Sequence, residues 1–205
     1  MTTSTNAWFT LTPAGAIRAF GQAEPDRVAQ QLQVLLSGEH TFDLTRWTEL
    51  SDVDDADVAR HEASAWVQRL PRPLQGPDAK LDDFLQFVIA GLSAERRVVL
   101  ASDSGFCLGR AGFEQDEADV LSAAAADYGA FAERQARRGW GGAGAYVAFH
   151  ADPHFLLPTF AFVPLWVDGT GYWLIMAGEP LLNCPALVEL LWGLKVAGTR
   201  FAAGS

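Results

Sequence analysis

The stretch from Arg97 to Val120 constrains the fold more than any other part of the chain. Val98–Leu100 is an apolar run typical of a strand buried on both faces, and Asp103-Ser104-Gly105 has the composition of a tight turn. Phe106–Leu108 returns as a second strand, so the sequence predicts a β-hairpin. Acidic residues follow at positions 116 and 117, where the dipole of a starting helix favours negative charge.

The same patterns extend through the chain from residue 81. Helical spacing of apolar residues predicts a helix before the hairpin, a long helix after it and a helix near the end. Alternating or continuous apolar runs predict three further strands. In order, we expect a helix over Leu81–Leu92, the hairpin, a helix over Asp116–Arg138, strands at Ala145–Phe149, His154–Val163 and Tyr172–Met176, and a last helix starting near Asn183. The fold class predicted is α+β, with a five-stranded antiparallel sheet and helices on its faces.

Residues 1–72 are predicted to form a small, mostly helical domain of winged-helix type. A strand is expected at Trp8–Thr12, followed by either a return strand or a short helix at Ala16–Phe20. Helices are expected from Asp26, from Thr41 and over Val58–Leu70. Prolines and a glycine make residues 73–80 the predicted linker, and residues 81–201 are the second predicted domain.

The negative net charge of the chain argues against nucleic acid or an anionic membrane as the main partner. The 205 residues carry a formal net charge of −10, which phosphates would repel. A three-helix unit could still be a DNA-binding regulator, but the helix that would read the bases opens with Asp54-Asp55-Ala56-Asp57. We therefore expect no nucleic-acid partner.

Two cysteines in a chain of this length, Cys107 and Cys184, suggest a reducing compartment and buried structural thiols. The first six residues have no signal-peptide pattern, and no apolar run approaches the length of a membrane span. A cytoplasmic location is expected.

The hairpin Val98–Gly112 and the acidic start of the next helix resemble the roadblock family, of the profilin- and longin-like folds. The resemblance covers about residues 81–201. It implies a non-enzymatic homodimer that acts as a scaffold in protein–protein interaction or as a regulator of a small GTPase. Any GTPase-activating role would then operate only through the partner, and no cofactor is implied. The long helix and an edge strand would form the dimer interface, which here comprises Val120, Ala124, Tyr128 and Phe131 with Tyr146, Val147 and Phe149.

Individual residues give few indications of catalysis, phosphate binding or metal binding. No phosphate-binding loop occurs, so the chain is not expected to be a GTPase itself, and no catalytic residues are predicted. His150, Asp152 and His154 are candidate metal ligands by type, but Pro153 interrupts the strand that would align them, and we expect turn polarity and no metal. Trp140, in a glycine-rich connector, is expected at an interface.

The competing hypothesis is a small-molecule sensor or enzyme with a pocket between the sheet and the aromatic strands.

Overall fold

The structure is a computed structural model that describes residues 7–78, 81–141, 146–151, 154 and 156–202. Its first segment contains three strands and four helices. They are β1 (Trp8–Leu11), α1 (Pro13–Phe20), α2 (Arg27–Val34), β2 (Phe42–Asp43), α3 (Leu44–Ser51), α4 (Asp55–Ala63) and β3 (Val67–Leu70).

The second segment has the element order that the sequence patterns predicted: helix, two strands, long helix, three strands, helix. The elements are α5 (Leu81–Ala90), β4 (Val98–Ser102), β5 (Cys107–Ala111), α6 (Gln115–Ala136), β6 (Val147–Phe149), β7 (Phe160–Val167), β8 (Thr170–Ala177) and α7 (Pro185–Ala202). The strands form one antiparallel sheet in the order β5-β4-β8-β7-β6. The predicted fold class and the roadblock-like arrangement are confirmed.

The N-terminal segment differs from the prediction in its strands. It contains a three-stranded antiparallel sheet in the order β2-β1-β3. The helix predicted over Val58–Leu70 ends at Ala63, because Ala65 adopts a left-handed backbone conformation and residues 67–70 then pair with β1. Ala16–Phe20 is helical, since the Thr12 side chain accepts from the Gly15 amide and Pro13 occupies the first turn.

Aspartates start the next three helices. Asp26, Asp43 and Asp54 each precede a helix and accept a hydrogen bond from a backbone amide of its first turn. Such caps satisfy amides that the helix itself leaves unpaired. The winged-helix assignment for this segment stays a prediction.

The predicted fourth strand began too early. The sequence indicated His154–Val163, whereas β7 spans Phe160–Val167 and includes Pro164. Among the described residues, β6 pairs with β7 only at Phe160–Phe162, so Pro164 has no described partner on that side of β7, where a missing amide donor is tolerated.

The two faces of the five-stranded sheet carry separate cores. One face, with Leu100, Leu165 and Leu174, packs in a large cluster with α5, α7 and the N-terminal segment. The other, with Val99, Phe162 and Ile175, packs mainly under α6 in a smaller cluster. The large cluster includes residues on both sides of the predicted 73–80 linker, and Trp192 donates to the Gly38 carbonyl at 2.7 Å. The division into two domains stays a prediction.

A polar chain is buried inside the N-terminal segment. His61 is fully buried between Trp47 and Trp66, with ring centroids 6.0 and 5.9 Å away. Its Nε2 lies 3.2 Å from the Gln31 side-chain oxygen, and Gln31 donates to Asp57 at 3.1 Å. The Nδ1 atom of His61 has no hydrogen-bond partner within the described part of the chain. Burial lowers the pKa of His61, and the hydrogen bond from Gln31 is the main cause that lowers the pKa of Asp57.

None of the helices that the structure describes is long and apolar enough to cross a membrane.

Candidate functional site

One flank of α6 carries exposed apolar side chains in place of the polar ones expected on a solvated helix. Val120 is 70% exposed and Phe131 is 41% exposed, while Ala124 and Tyr128 between them are partly buried. Their spacing of three and four residues aligns them along one side of the helix. The four helical residues predicted for the interface therefore share one flank.

The remaining predicted interface residues adjoin this flank at its C-terminal end. Trp140 is 57% exposed and meets Phe131 edge-on, with ring centroids 6.4 Å apart. Tyr128 stacks on Phe149 at 5.3 Å, and both rings contact Phe162 in an edge-on arrangement. This aromatic cluster joins α6 to β6.

Tyr146 and Val147 are the last two residues predicted for the interface. Tyr146 is exposed and directly precedes β6, and Val147 is partly buried within it. We call the eight residues Val120, Ala124, Tyr128, Phe131, Trp140, Tyr146, Val147 and Phe149 the α6–β6 surface. Burial raises the pKa of Tyr128 and of Tyr146, so both phenols are neutral and able to donate hydrogen bonds near neutral pH.

The outer side of β6 has no partner strand among the described residues. Its backbone amides and carbonyls on that side are open to pairing with another strand. An exposed aromatic surface beside an open strand edge can bury rings and form backbone hydrogen bonds together, which suits association with another protein chain.

Two leucines that the sequence interpretation assigned to a strand lie in the loop before β7. Leu156 and Leu157 are exposed, and they add apolar area near the end of β6. Their position next to Pro158 was the available signal, because proline argues against a continuous strand.

The structure places two of the three candidate metal ligands at the surface. His150 and His154 are exposed, and Asp152 lies outside the described residues. Within the ranges that the structure describes, no three His, Cys, Asp or Glu side chains are grouped as metal ligands would be. Cys107 is partly buried, and burial raises the pKa of its thiol, which disfavours the reactive thiolate.

The structure also has a cavity on the opposite flank of α6, beside Trp166 and Trp173. The competing hypothesis placed a pocket between the sheet and the aromatic strands and did not identify α6 as one of its walls. The run of alanines in α6 indicated a close neighbour for the helix, and the structure shows open space along part of that run.

No protein-family model matches the chain, and neither does any curated protein. Several solved structures are similar to parts of it, among them the following three. A Roadblock/LC7 domain from Streptomyces avermitilis is 19% identical over 62% of this chain and 100% of that one, with a TM-score of 0.38. Myxococcus xanthus MglB is 13% identical over 61% and 98%, with a TM-score of 0.37. Acanthamoeba castellanii profilin II is 19% identical over 60% and 95%, with a TM-score of 0.28. At these low scores the matches support no functional conclusion by themselves, and the roadblock-like arrangement rests on the element order and the sheet.

Proposed function

We propose that the protein is a non-enzymatic homodimeric scaffold that regulates a small GTPase. The observation that supports self-association is the α6–β6 surface, where exposed aromatic side chains flank an open strand edge. A second copy related by a two-fold axis would pair β6 with β6 in the antiparallel sense. The two five-stranded sheets would then form one continuous sheet, and the exposed rings would be buried.

The charges of α6 favour an antiparallel partner of the same kind. Its first turn carries Asp116 and Glu117, and its end carries Arg134, followed by Arg137 and Arg138. In an antiparallel pair, the acidic start of each helix lies near the basic end of the other. Complementary charges of this kind favour one register and increase the rate of association.

Sedimentation of wild type and of surface variants tests the dimer. Val120→Glu with Phe131→Glu places four carboxylates in the proposed interface, and glutamate is a good helix former, so folding should be preserved. We expect a wild-type dimer and a Kd raised about a thousandfold in the double variant, the size of two hot-spot losses. Phe87→Glu is the matched control, because Phe87 is 81% exposed on α5, away from this surface. A monomeric wild-type protein at high concentration would contradict the proposal.

The small GTPase as partner follows from the roadblock resemblance, which assigns such regulation to members without a catalytic site of their own. Affinity capture from the native lysate, with and without a non-hydrolysable GTP analogue, tests this assignment by mass spectrometry. We expect a small GTPase to be enriched in a nucleotide-dependent manner. Recovery of the protein itself with no GTPase in either condition would leave the dimer and remove the regulatory role.

A further inference from the structure

A cavity of about 830 Å³ lies between the C-terminal half of α6 and the ends of β7 and β8. This volume is in the range of sites that hold small organic ligands. Small residues of α6, among them Gly129, leave the space open, and the indoles of Trp166 and Trp173 line the sheet side.

Two glycines keep the cavity walls accessible. A Cβ atom at Gly129 would lie 3.6 Å from Trp173 Nε1, which is ordinary contact, so a longer side chain there would extend along the indole into the space. A Cβ atom at Gly171 would lie 3.1 Å from Asp103 Cβ and 3.5 Å from Trp166 Nε1. The missing side chain at Gly171 therefore lets Asp103 and Trp166 approach each other at the cavity wall.

The charged residues of the cavity wall are both acidic. They are Asp103 and Glu133, and no lysine, arginine or histidine occurs among the lining residues that the structure describes. Glu133 stands at the exposed rim, 3.6 Å from Arg137, which compensates part of its charge. Within the described ranges, the Asp103 carboxylate forms neither an ion pair nor a side-chain hydrogen bond, so it remains available to a ligand.

We propose that this cavity binds a small organic cation, an ammonium group carried on an apolar body. An indole ring attracts a cation over its face through its quadrupole and also covers apolar groups, and Trp166 is the partly exposed indole of this wall. Asp103 supplies the opposite charge and accepts hydrogen bonds from the ammonium N–H groups. An organic anion would meet two carboxylates here and, among the described lining residues, no basic side chain.

The cavity is separate from the proposed dimer surface. Around the axis of α6, Gly129 and Glu133 project on one side of the sheet-facing residues, while Ala124 and Phe131 project on the other. The turn at Gly105 packs against Ala126 on the cavity side. A Cβ atom at Gly105 would lie only 3.1 Å from the Ala126 side chain. The ligand site therefore does not depend on the proposed function, and either can fail alone.

Titration of the full chain with 2-phenylethylammonium and with the neutral analogue 2-phenylethanol tests the proposal. The readout is the pair of indole N–H signals of Trp166 and Trp173 in proton–nitrogen NMR spectra. We expect saturable shifts with the ammonium compound and binding about tenfold weaker for the alcohol, the size of one charged contact.

Three variants identify the groups responsible. Asp103→Asn should weaken ammonium binding about tenfold and leave alcohol binding unchanged. Gly129→Leu should abolish the binding of both compounds by filling the cavity, while Phe87→Ala, at an exposed position on α5, should change neither. The proposal is overturned if alcohol and ammonium bind equally well, if Asp103→Asn has no effect, or if no saturable shift reaches either indole.

Discussion

The two faces of the five-stranded sheet are covered to different extents. The face with Leu174 lies under α5, α7 and the N-terminal segment, in a large and continuous core. The face with Ile175 lies mainly under α6, and a single helix covers less of a sheet than several elements do. Both features to which we assign a function, the α6–β6 surface and the cavity, occur on the less covered face. Complete cover stabilises a sheet, whereas incomplete cover leaves side chains and space for partners.

Neighbouring residues of β8 allow the sharpest comparison of the two faces. Leu174 and Ile175 are both fully buried and point to opposite sides. We expect Leu174→Ala to lower the free energy of unfolding by about 4 kcal/mol, and Ile175→Ala by about 2–3 kcal/mol, because the smaller core can relax beside the cavity. Urea unfolding followed by circular dichroism measures both.

If Ile175→Ala lowered the free energy of unfolding as much as Leu174→Ala, or more, the expected difference between the two sheet faces would be wrong. The shape of the transition also bears on the predicted boundary at residues 73–80. A single transition in Leu174→Ala, seen equally by tryptophan fluorescence and by circular dichroism, would indicate that both segments unfold together.

The buried histidine makes the large core sensitive to acid. Because burial lowers the folded-state pKa of His61 below its ordinary value of 6.5, folding favours the neutral ring. Its contribution to stability is therefore fully present above pH 6.5 and is lost as the pH falls from 6.5 through the folded-state pKa. Asp57 and Arg60 on α4 and Arg18 on α1 are the charges that act on this ring.

Thermal unfolding at a series of pH values tests this assignment. His61→Phe should lose stability at neutral pH because the Gln31 side-chain oxygen loses its His61 partner. The stability of this variant should nevertheless decline less than that of wild type as the pH falls below 6.5. The same decline in both proteins would show that other groups cause the acid sensitivity.

The smallest change in stability is expected for a substitution at Gly129. Gly129→Ala should stabilise the protein by about 0.5–1 kcal/mol, because alanine favours the helix and its methyl group finds only ordinary contacts with Trp173. Chemical denaturation with a matched Ala130→Gly variant, expected to shift stability in the opposite direction, measures it. A destabilised Gly129→Ala protein would mean that α6 packs more tightly on this side than its contacts indicate.

Local patterns predicted the second half of the chain well and the first half only in part. Val98–Val120 contains its own turn, strands and helix start, so nearby residues determine its structure. β3 depends on pairing with β1, more than fifty residues earlier in the chain. The local pattern therefore assigned the residues of β3 to the preceding helix. β2 has only two residues, too few to produce an alternating pattern.

The same distinction applies to the candidate sites. Helical spacing grouped the four α6 residues of the proposed interface, because a single element carries them. The cavity brings together Asp103, Gly129 and Trp166 from three separate elements, and no spacing along the chain connects them. The acidic start and basic end of α6 were visible in sequence, but their role in pairing depends on which flank is exposed.

The small residues along one flank of α6 have an evolutionary consequence. The packing of α6 on the sheet depends on Leu121 and Ala125, while Gly129 and Ala130 border the cavity. A single change to a larger side chain at Gly129 or Ala130 can therefore close the ligand site while the fold is retained, and the reverse change can open it. Ligand binding on this scaffold can be gained or lost between related lineages without a new fold having to arise.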